Sequence, residues 1–270
     1  MASLPDAFFD VEAIAGGEWF VPTDYARGPW DPDACHGGPP TALLARALER
    51  TLPDIRLARL TVDLARPVPM AGFAIETEIV KAGRATGTTR ATIVDADGAP
   101  RAVATGTHVM TSAVALFPTV LDNSDLETPH FADAEPGAFP IARLLHDQPA
   151  FNRAIDVRYP RGLDPPPGAT TVWMRTIALL PDEEPSSFQR ICPLADCGNA
   201  FSRHAEPGQV QFINTDLTIA LHRDPVGEWL GSRVVSHWQP SGVGLADALL
   251  FDDDGPVGRA LQTLLLRPAG

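Results

Sequence analysis

Alternating apolar and polar positions recur along the chain in short runs. The run LTVDLARP, Leu60 to Pro67, places Leu60, Val62 and Leu64 on one side and polar residues on the other. That period of two predicts a half-buried strand. A matching run, LTIALHRD, spans Leu217 to Asp224, 157 residues further on. The apolar run ATIVDADG, Ala91 to Gly98, has its own match at the same separation in ALLFDDDG, Ala248 to Gly255. Two strand-like matches at one spacing and in one order predict two copies of a single unit. Each second match ends in Asp-Gly, at Asp97-Gly98 and Asp254-Gly255, which predicts a tight hairpin turn.

The segment PPTALLARALERTL, Pro39 to Leu52, breaks the alternation. Prolines open it and Ala, Leu and Arg fill it, so it predicts a helix. His36-Gly37-Gly38 stands just before it. The corresponding helix of the second copy is expected over Pro193 to Ala205. An acidic, Pro-punctuated stretch, Phe117 to Pro140, is expected to link the copies, and Pro160 to Gly168 to form a loop between strands. The organisation expected is therefore an N-terminal unit over 1–116, a linker over 117–140 and a C-terminal unit over 141–270. A helix wrapped by an antiparallel sheet, present twice, is an α+β architecture, with the two sheets joining edge to edge to cover their exposed strands.

Composition narrows the function. The chain has 270 residues, 44% of them hydrophobic, enough for a sizeable core. Its formal net charge of −13 makes nucleic acid or an anionic membrane a poor partner. The same charge disfavours docking on an acidic carrier protein. Lys81 is the single lysine, so any lysine chemistry rests on it alone. Three cysteines, none in a C-x-x-C pair, predict a reducing, cytoplasmic compartment. Neither a signal peptide nor a membrane-spanning apolar run is recognisable. The acidic run Asp252-Asp253-Asp254 is expected to be a solvated turn. Cys192 and Cys197 are expected to be buried thiols. No nucleophile elbow, P-loop or H-E-x-x-H motif occurs, and no metal site is expected.

Three segments, in order, carry a resemblance: HGGPPTALLARALE, FINTDLTIALHRDPVGEWLG and GPVGRALQTLLLRP. Together they resemble the acyl-CoA thioesterase II-like proteins of the double-hotdog thioesterase superfamily. The resemblance spans roughly residues 17–268 and implies two tandem hotdog units. It further implies hydrolysis of acyl-CoA to fatty acid and CoA by a bound water, without a cofactor. In that family an Asp, a Thr or Ser, and a Gln hold the water. Carried onto this sequence, they fall on Asp216, Ser236 and Gln262, with His237 the alternative at the middle position. The developing oxyanion is expected to be received by backbone N–H groups at a helix N-terminus, where Gly37 and Gly38 stand just before the first helix, and His36, Gly37 and Gly38 are the substrate-binding residues expected.

The repeat gives an independent test of that site. Asp216 corresponds to Arg59, Ser236 to Ile79, and Gln262 to Ala104 or Thr105, so the polar trio belongs to one copy only. One working site per chain follows. The partners expected are an acyl-CoA substrate and further copies of the chain, which would bury the outer sheet faces. Two rival functions stay open. One is an enoyl-CoA hydratase or dehydratase, for which His36 lacks an evident carboxylate partner. The other is a non-catalytic acyl-CoA or lipid-binding protein.

Overall fold

The computed structural model describes residues 7–116, 127–141, 146–162, 168–206 and 208–268. The N-terminal half contains strands β1 (Phe9–Ile14) and β2 (Gly17–Pro22), helix α1 (Gly38–Thr51), then β3 (Arg56–Asp63), β4 (Phe73–Ala82), β5 (Thr86–Val94) and β6 (Pro100–Val109). The C-terminal half contains β7 (Ala134–Gly137), β8 (Ile155–Pro160), β9 (Thr170–Thr176), helices α2 (Ser187–Asp196) and α3 (Gly198–Phe201), then β10 (Val210–Asn214), β11 (Asp216–Leu221), β12 (Leu230–Trp238), β13 (Val243–Asp252) and β14 (Gly255–Pro268).

All the strands join one antiparallel sheet in the order β1-β2-β4-β5-β6-β3-β11-β14-β13-β12-β9-β8-β7, with β10 also on β14. The order reads outward from β3 and β11 in the same way on both sides. The repeat is visible at that seam. Thr61 lies opposite Thr218, and their hydroxyls meet at 3.1 Å. Equivalent residues facing each other across an antiparallel pair define a local two-fold axis. The same strand junction removes one free sheet edge from each half.

Helix α1 is buried all round over its first turns, from Gly38 to Arg46, as a helix wrapped by a sheet must be. Its second-copy counterpart does not begin at Pro193. It starts at Ser187, capped by the Ser186 hydroxyl, which accepts from the Gln189 N–H at 3.1 Å. Pro193 sits inside the helix, and the helix ends at Asp196 before the short α3. Of the stretch 117–140, residues 117–126 lie outside the described residues, and Ala134 to Gly137 pair with β8. Residues 163–167 of the expected loop also lie outside them.

The two Asp-Gly turns form as expected, with Gly98 and Gly255 at φ +75° and +109°, where a side chain would be strained. Asp252, however, is no solvated turn residue. It is fully buried and receives the Arg223 guanidinium at 2.5 and 2.6 Å and the N–H groups of Val226 and Asp254. Its first-copy equivalent, Asp95, binds Arg101 and the N–H groups of Asp97 and Ala99 in the same way. The turns are thus tied by a carboxylate that organises both strands. Cys192 and Cys197 are buried, and burial pushes both thiols well up.

Candidate functional site

Helices α1 and α2 pack antiparallel, so the start of α1 meets the end of α2. That approach requires glycine. A Cβ on Gly38 would stand 2.8 Å from the Cα of Pro193, and one on Gly37 3.0 Å from Asp196 Oδ2. The first turn of α1 is also poor in donors. Gly38 is followed by Pro39 and Pro40, which carry no N–H, and Thr41 already donates to the Gly37 carbonyl at 3.1 Å. The N–H groups without a backbone partner at this helix end are those of Gly37 and Gly38, the latter directed at His36 Nδ1 at 3.2 Å.

Facing them is Asp196, whose side chain is only 4% exposed. Its Oδ1 receives Asn214 Nδ2 at 2.9 Å and, more loosely, Gln262 Nε2 at 3.5 Å. Its Oδ2 lies 3.0 Å from His36 Nδ1. Gln262, buried, donates to the Asp196 carbonyl at 2.8 Å and accepts from the Asn199 N–H at 2.9 Å. Asn199 Nδ2 in turn reaches Asn214 Oδ1 at 3.3 Å. A carboxylate, two amides and an imidazole therefore converge on a helix N-terminus, drawn from both halves of the chain.

The structure does not bring the expected trio together. Asp216 accepts from the Thr263 N–H at 3.1 Å, while the neighbouring Gln262 points to the opposite, buried face. Pleating alone puts Asp216 and Gln262 on different sides of the sheet. Ser236 does share the inner face with Gln262, but Ala246 of β13 lies between them in register. Its hydroxyl instead meets Ser202 Oγ at 2.6 Å, and Ser202 caps the Gly198 carbonyl at 2.8 Å. Ser236 thus braces the α3 turn that presents Asn199. His237, the alternative, is exposed on the outer face. His36, Gly37 and Gly38 stand at the helix junction, in contact with Asp196.

Asp196 and Asn214 are the residues that sequence reading passes over. Asn214 faces inward because of a bulge at Thr215. Opposite β14 the register moves by one residue there, from Asn214–Leu264 to Thr218–Leu261. The first copy has the same irregularity between Leu57 and Arg59. Leu57 therefore occupies the place of Asn214. The place of Gln262 is taken by Gly106, not by Ala104 or Thr105, because Ala99 is the extra residue after the first turn.

The mirror image of Asp196 is Glu49, which touches the N-cap of α2 as Asp196 touches that of α1. Ser186 Oγ donates to it at 2.9 Å and Gln189 Nε2 at 2.7 Å. Burial pushes the Glu49 carboxyl up, more than those two hydrogen bonds pull it down. A carboxyl raised on folding binds its proton more tightly in the folded state, so its contribution to stability falls as pH rises through the acid range. Glu49→Gln is therefore expected to melt above the wild type at pH 7.5, with the advantage shrinking towards pH 5 in a calorimetric series. A constant or reversed difference would contradict the assignment.

A pocket of 540 Å³ lies beside the helix junction. Ala42 and Pro193 belong to its wall, with Phe8, Met174, Ile177, Leu179 and Leu230, and Arg153, Arg175 and Arg190 also line it. Among the described residues no group of three or more His, Cys, Asp or Glu side chains could hold a metal ion, and no helix is long and apolar enough to cross a membrane.

Comparison with solved structures places this architecture in the hotdog class. A conserved protein with hot dog fold from Alicyclobacillus acidocaldarius is 19% identical, with a TM-score of 0.69 over 94% of this chain and 95% of that one. A Novosphingobium aromaticivorans protein provisionally described as a thioesterase is 19% identical, with a TM-score of 0.74 over 98% and 100%. Acyl-CoA thioesterase II TesB2 from Mycobacterium marinum is 20% identical, with a TM-score of 0.62 over 96% and 95%. At these identities the likeness shows the fold. No curated protein sequence matches the chain. Family models settle the membership: residues 26–115 match the acyl-CoA thioesterase N-terminal domain and residues 124–266 the C-terminal domain. The chain belongs to the acyl-CoA thioesterase family and is a double hotdog.

Proposed function

We propose that this protein hydrolyses acyl-CoA thioesters, with the attacking water taken between Asp196, Asn214 and Gln262 and the oxyanion received by the N–H groups of Gly37 and Gly38. One observation carries the reading: a buried carboxylate, bonded by two amides from the sheet, faces the helix end of the other copy. Thioester hydrolysis needs a placed water, a proton acceptor and oxyanion donors, and a thiolate leaves without a strong general acid. Asn214 takes the place that a Thr or Ser holds in the resemblance, so an amide rather than a hydroxyl steadies the water. The acyl chain occupies the pocket behind Ala42 and Pro193.

In this reading residues 1–116 supply the oxyanion donors, residues 141–270 supply the carboxylate, and 117–140 connects them. The protein works in cytoplasmic fatty-acyl-CoA metabolism. Copies of the chain associate through exposed outer-face residues such as Val243, Leu245 and Leu261.

The test is thiol release from a panel of acyl-CoAs, short to long. Turnover supports the reading and sets the chain length accepted. Tight binding without turnover moves the protein to the binding class. The His36–Asp196 contact favours a second reading, hydration of an enoyl-CoA, so a 2-enoyl-CoA belongs in the panel. Loss of its double bond without thiol release would favour that reading.

A further inference from the structure

We infer that this protein selects acyl-CoA substrates whose acyl chain bears a hydroxyl in its distal part, and that Gln189 and Arg190 of α2 receive that hydroxyl. The inference rests on the acyl-CoA hydrolase reading above and names the substrate class of the same site.

The 540 Å³ pocket runs along one face of α2. Pro193 lines it and lies against the start of α1, where a Cβ on Gly38 would stand 2.8 Å from its Cα. Gln189 lines the pocket one helical turn earlier, about 6 Å along the axis. A chain whose thioester carbon sits at the helix junction therefore passes Pro193 before it reaches Gln189. There the wall is polar. Arg175 holds Asp156 at 2.7 Å and Glu228 at 3.1 Å. Arg190 donates to the carbonyl of Gly227, the residue before Glu228. A plain hydrocarbon end is a poor fit to such a wall, because it offers these groups nothing in exchange for water.

Among the described residues, Gln189 Oε1 and Arg190 Nε are buried and have no hydrogen-bond partner. Turning the amide does not cure this. Gln189 Nε2 donates to Glu49 Oε2 at 2.7 Å, and a carboxylate only accepts, so Oε1 is the end left over. Glu49 borders a separate cavity of 220 Å³ that Gln189 does not line. The side of Gln189 that meets the larger pocket is thus the one turned away from Glu49. Both Nη nitrogens of Arg190 are held, by the carbonyls of Gly227 and Pro225 and by Ser187 Oγ, which leaves Nε.

An acceptor and a donor on adjacent residues of one wall define the ligand. A methyl end leaves both unpaired. An ionised carboxylate pairs with Nε but sets an oxygen against Oε1, acceptor against acceptor. A hydroxyl donates to Oε1 and accepts from Nε, and so satisfies both.

The experiment compares kcat/KM for thiol release from hexanoyl-, octanoyl- and decanoyl-CoA with their ω-hydroxy counterparts, and adds octanedioyl-CoA as the carboxylate probe. The wild type is expected to prefer the hydroxylated chain by about tenfold or more at one length, and to turn over octanedioyl-CoA less well than its ω-hydroxy counterpart. An apolar pocket gives the opposite sign, since it strips water from the hydroxyl without replacing it. Gln189→Met, apolar and of similar length, is expected to reverse the preference. Methionine strands the Glu49 carboxylate, so the same change is also made together with Glu49→Gln, and each variant is checked for a wild-type melt. The ratio of two substrates on one preparation does not depend on how much of it is folded, so a general loss of structure does not imitate the effect. If the wild type favours the plain chain at every length, or favours octanedioyl-CoA over the hydroxylated chain, the inference is overturned and the hydrolase reading stands. A ratio within about twofold of wild type in both Gln189→Met backgrounds overturns it equally. If the wild type releases no thiol from any of these, the hydrolase reading fails and takes the inference with it.

Discussion

Asp196→Asn is expected to lower kcat/KM for acyl-CoA hydrolysis by about two orders of magnitude or more, with the fold intact. Asparagine keeps the shape of the side chain but replaces one carboxylate oxygen by an NH2 donor. Turned with its NH2 towards Asn214, the new amide sets a donor against a donor; turned towards His36, it can donate to Nδ1 but no longer offers a carboxylate oxygen there. The substitution therefore removes the proton acceptor in either orientation. Gln262 still holds the Asp196 backbone carbonyl, which keeps the end of α2 in place. The informative companion is Asp216→Asn. Asp216 binds the Thr263 N–H on the outer face of the sheet, so its kcat/KM should stay close to wild type. A loss at Asp216 with no loss at Asp196 would move the site to the other face of β11 and refute the assignment.

The largest effect on stability is expected at the second Asp-Gly turn. Asp252→Ala removes a fully buried carboxylate and strands the Arg223 guanidinium together with the N–H groups of Val226 and Asp254. Breaking a buried pair from one side costs about 3–5 kcal/mol. Arg223 is partly exposed, so the low end, about 3 kcal/mol, applies. That corresponds to a fall of about 6–12 °C in Tm for a chain of this size class. Burial alone would raise the Asp252 carboxyl. The Arg223 guanidinium and the two N–H groups outweigh it and hold the group below the ordinary range. A depressed carboxyl contributes stability above the unfolded-state value, near 4, and loses it as pH falls through the folded value. Wild-type stability should therefore decline below about pH 4, and Asp252→Ala should show a shallower decline. A melt unchanged at neutral pH would mean that the turn does not depend on this pair.

Much of the architecture was legible because it is local and repeated. The 157-residue spacing of the two strand runs reappears as Thr61 facing Thr218 across the central strand pair. The two Asp-Gly turns close their hairpins, and the proline-led Ala/Leu segment forms the first central helix. These features depend on φ preferences, missing N–H groups and period-two burial, all of which are written in neighbouring residues.

The site was less legible, and the reasons are specific. Gln262 can be named from the family resemblance, and the His36-Gly37-Gly38 junction from its place just before a proline-led helix. Asp196 was hidden because Pro193 reads as a helix start, whereas the Ser186 cap begins that helix two turns earlier. Asn214 was hidden because strict alternation assigns it to the outer face, and only the bulge at Thr215 turns it inward. The sequence by itself determined the repeat, the turns, the first helix and the family's glutamine. The tertiary structure decided which carboxylate meets that glutamine. A bulge and the antiparallel contact of two helix ends choose that partner, the first set by pairing with a strand about fifty positions on and the second by residues 155 positions apart.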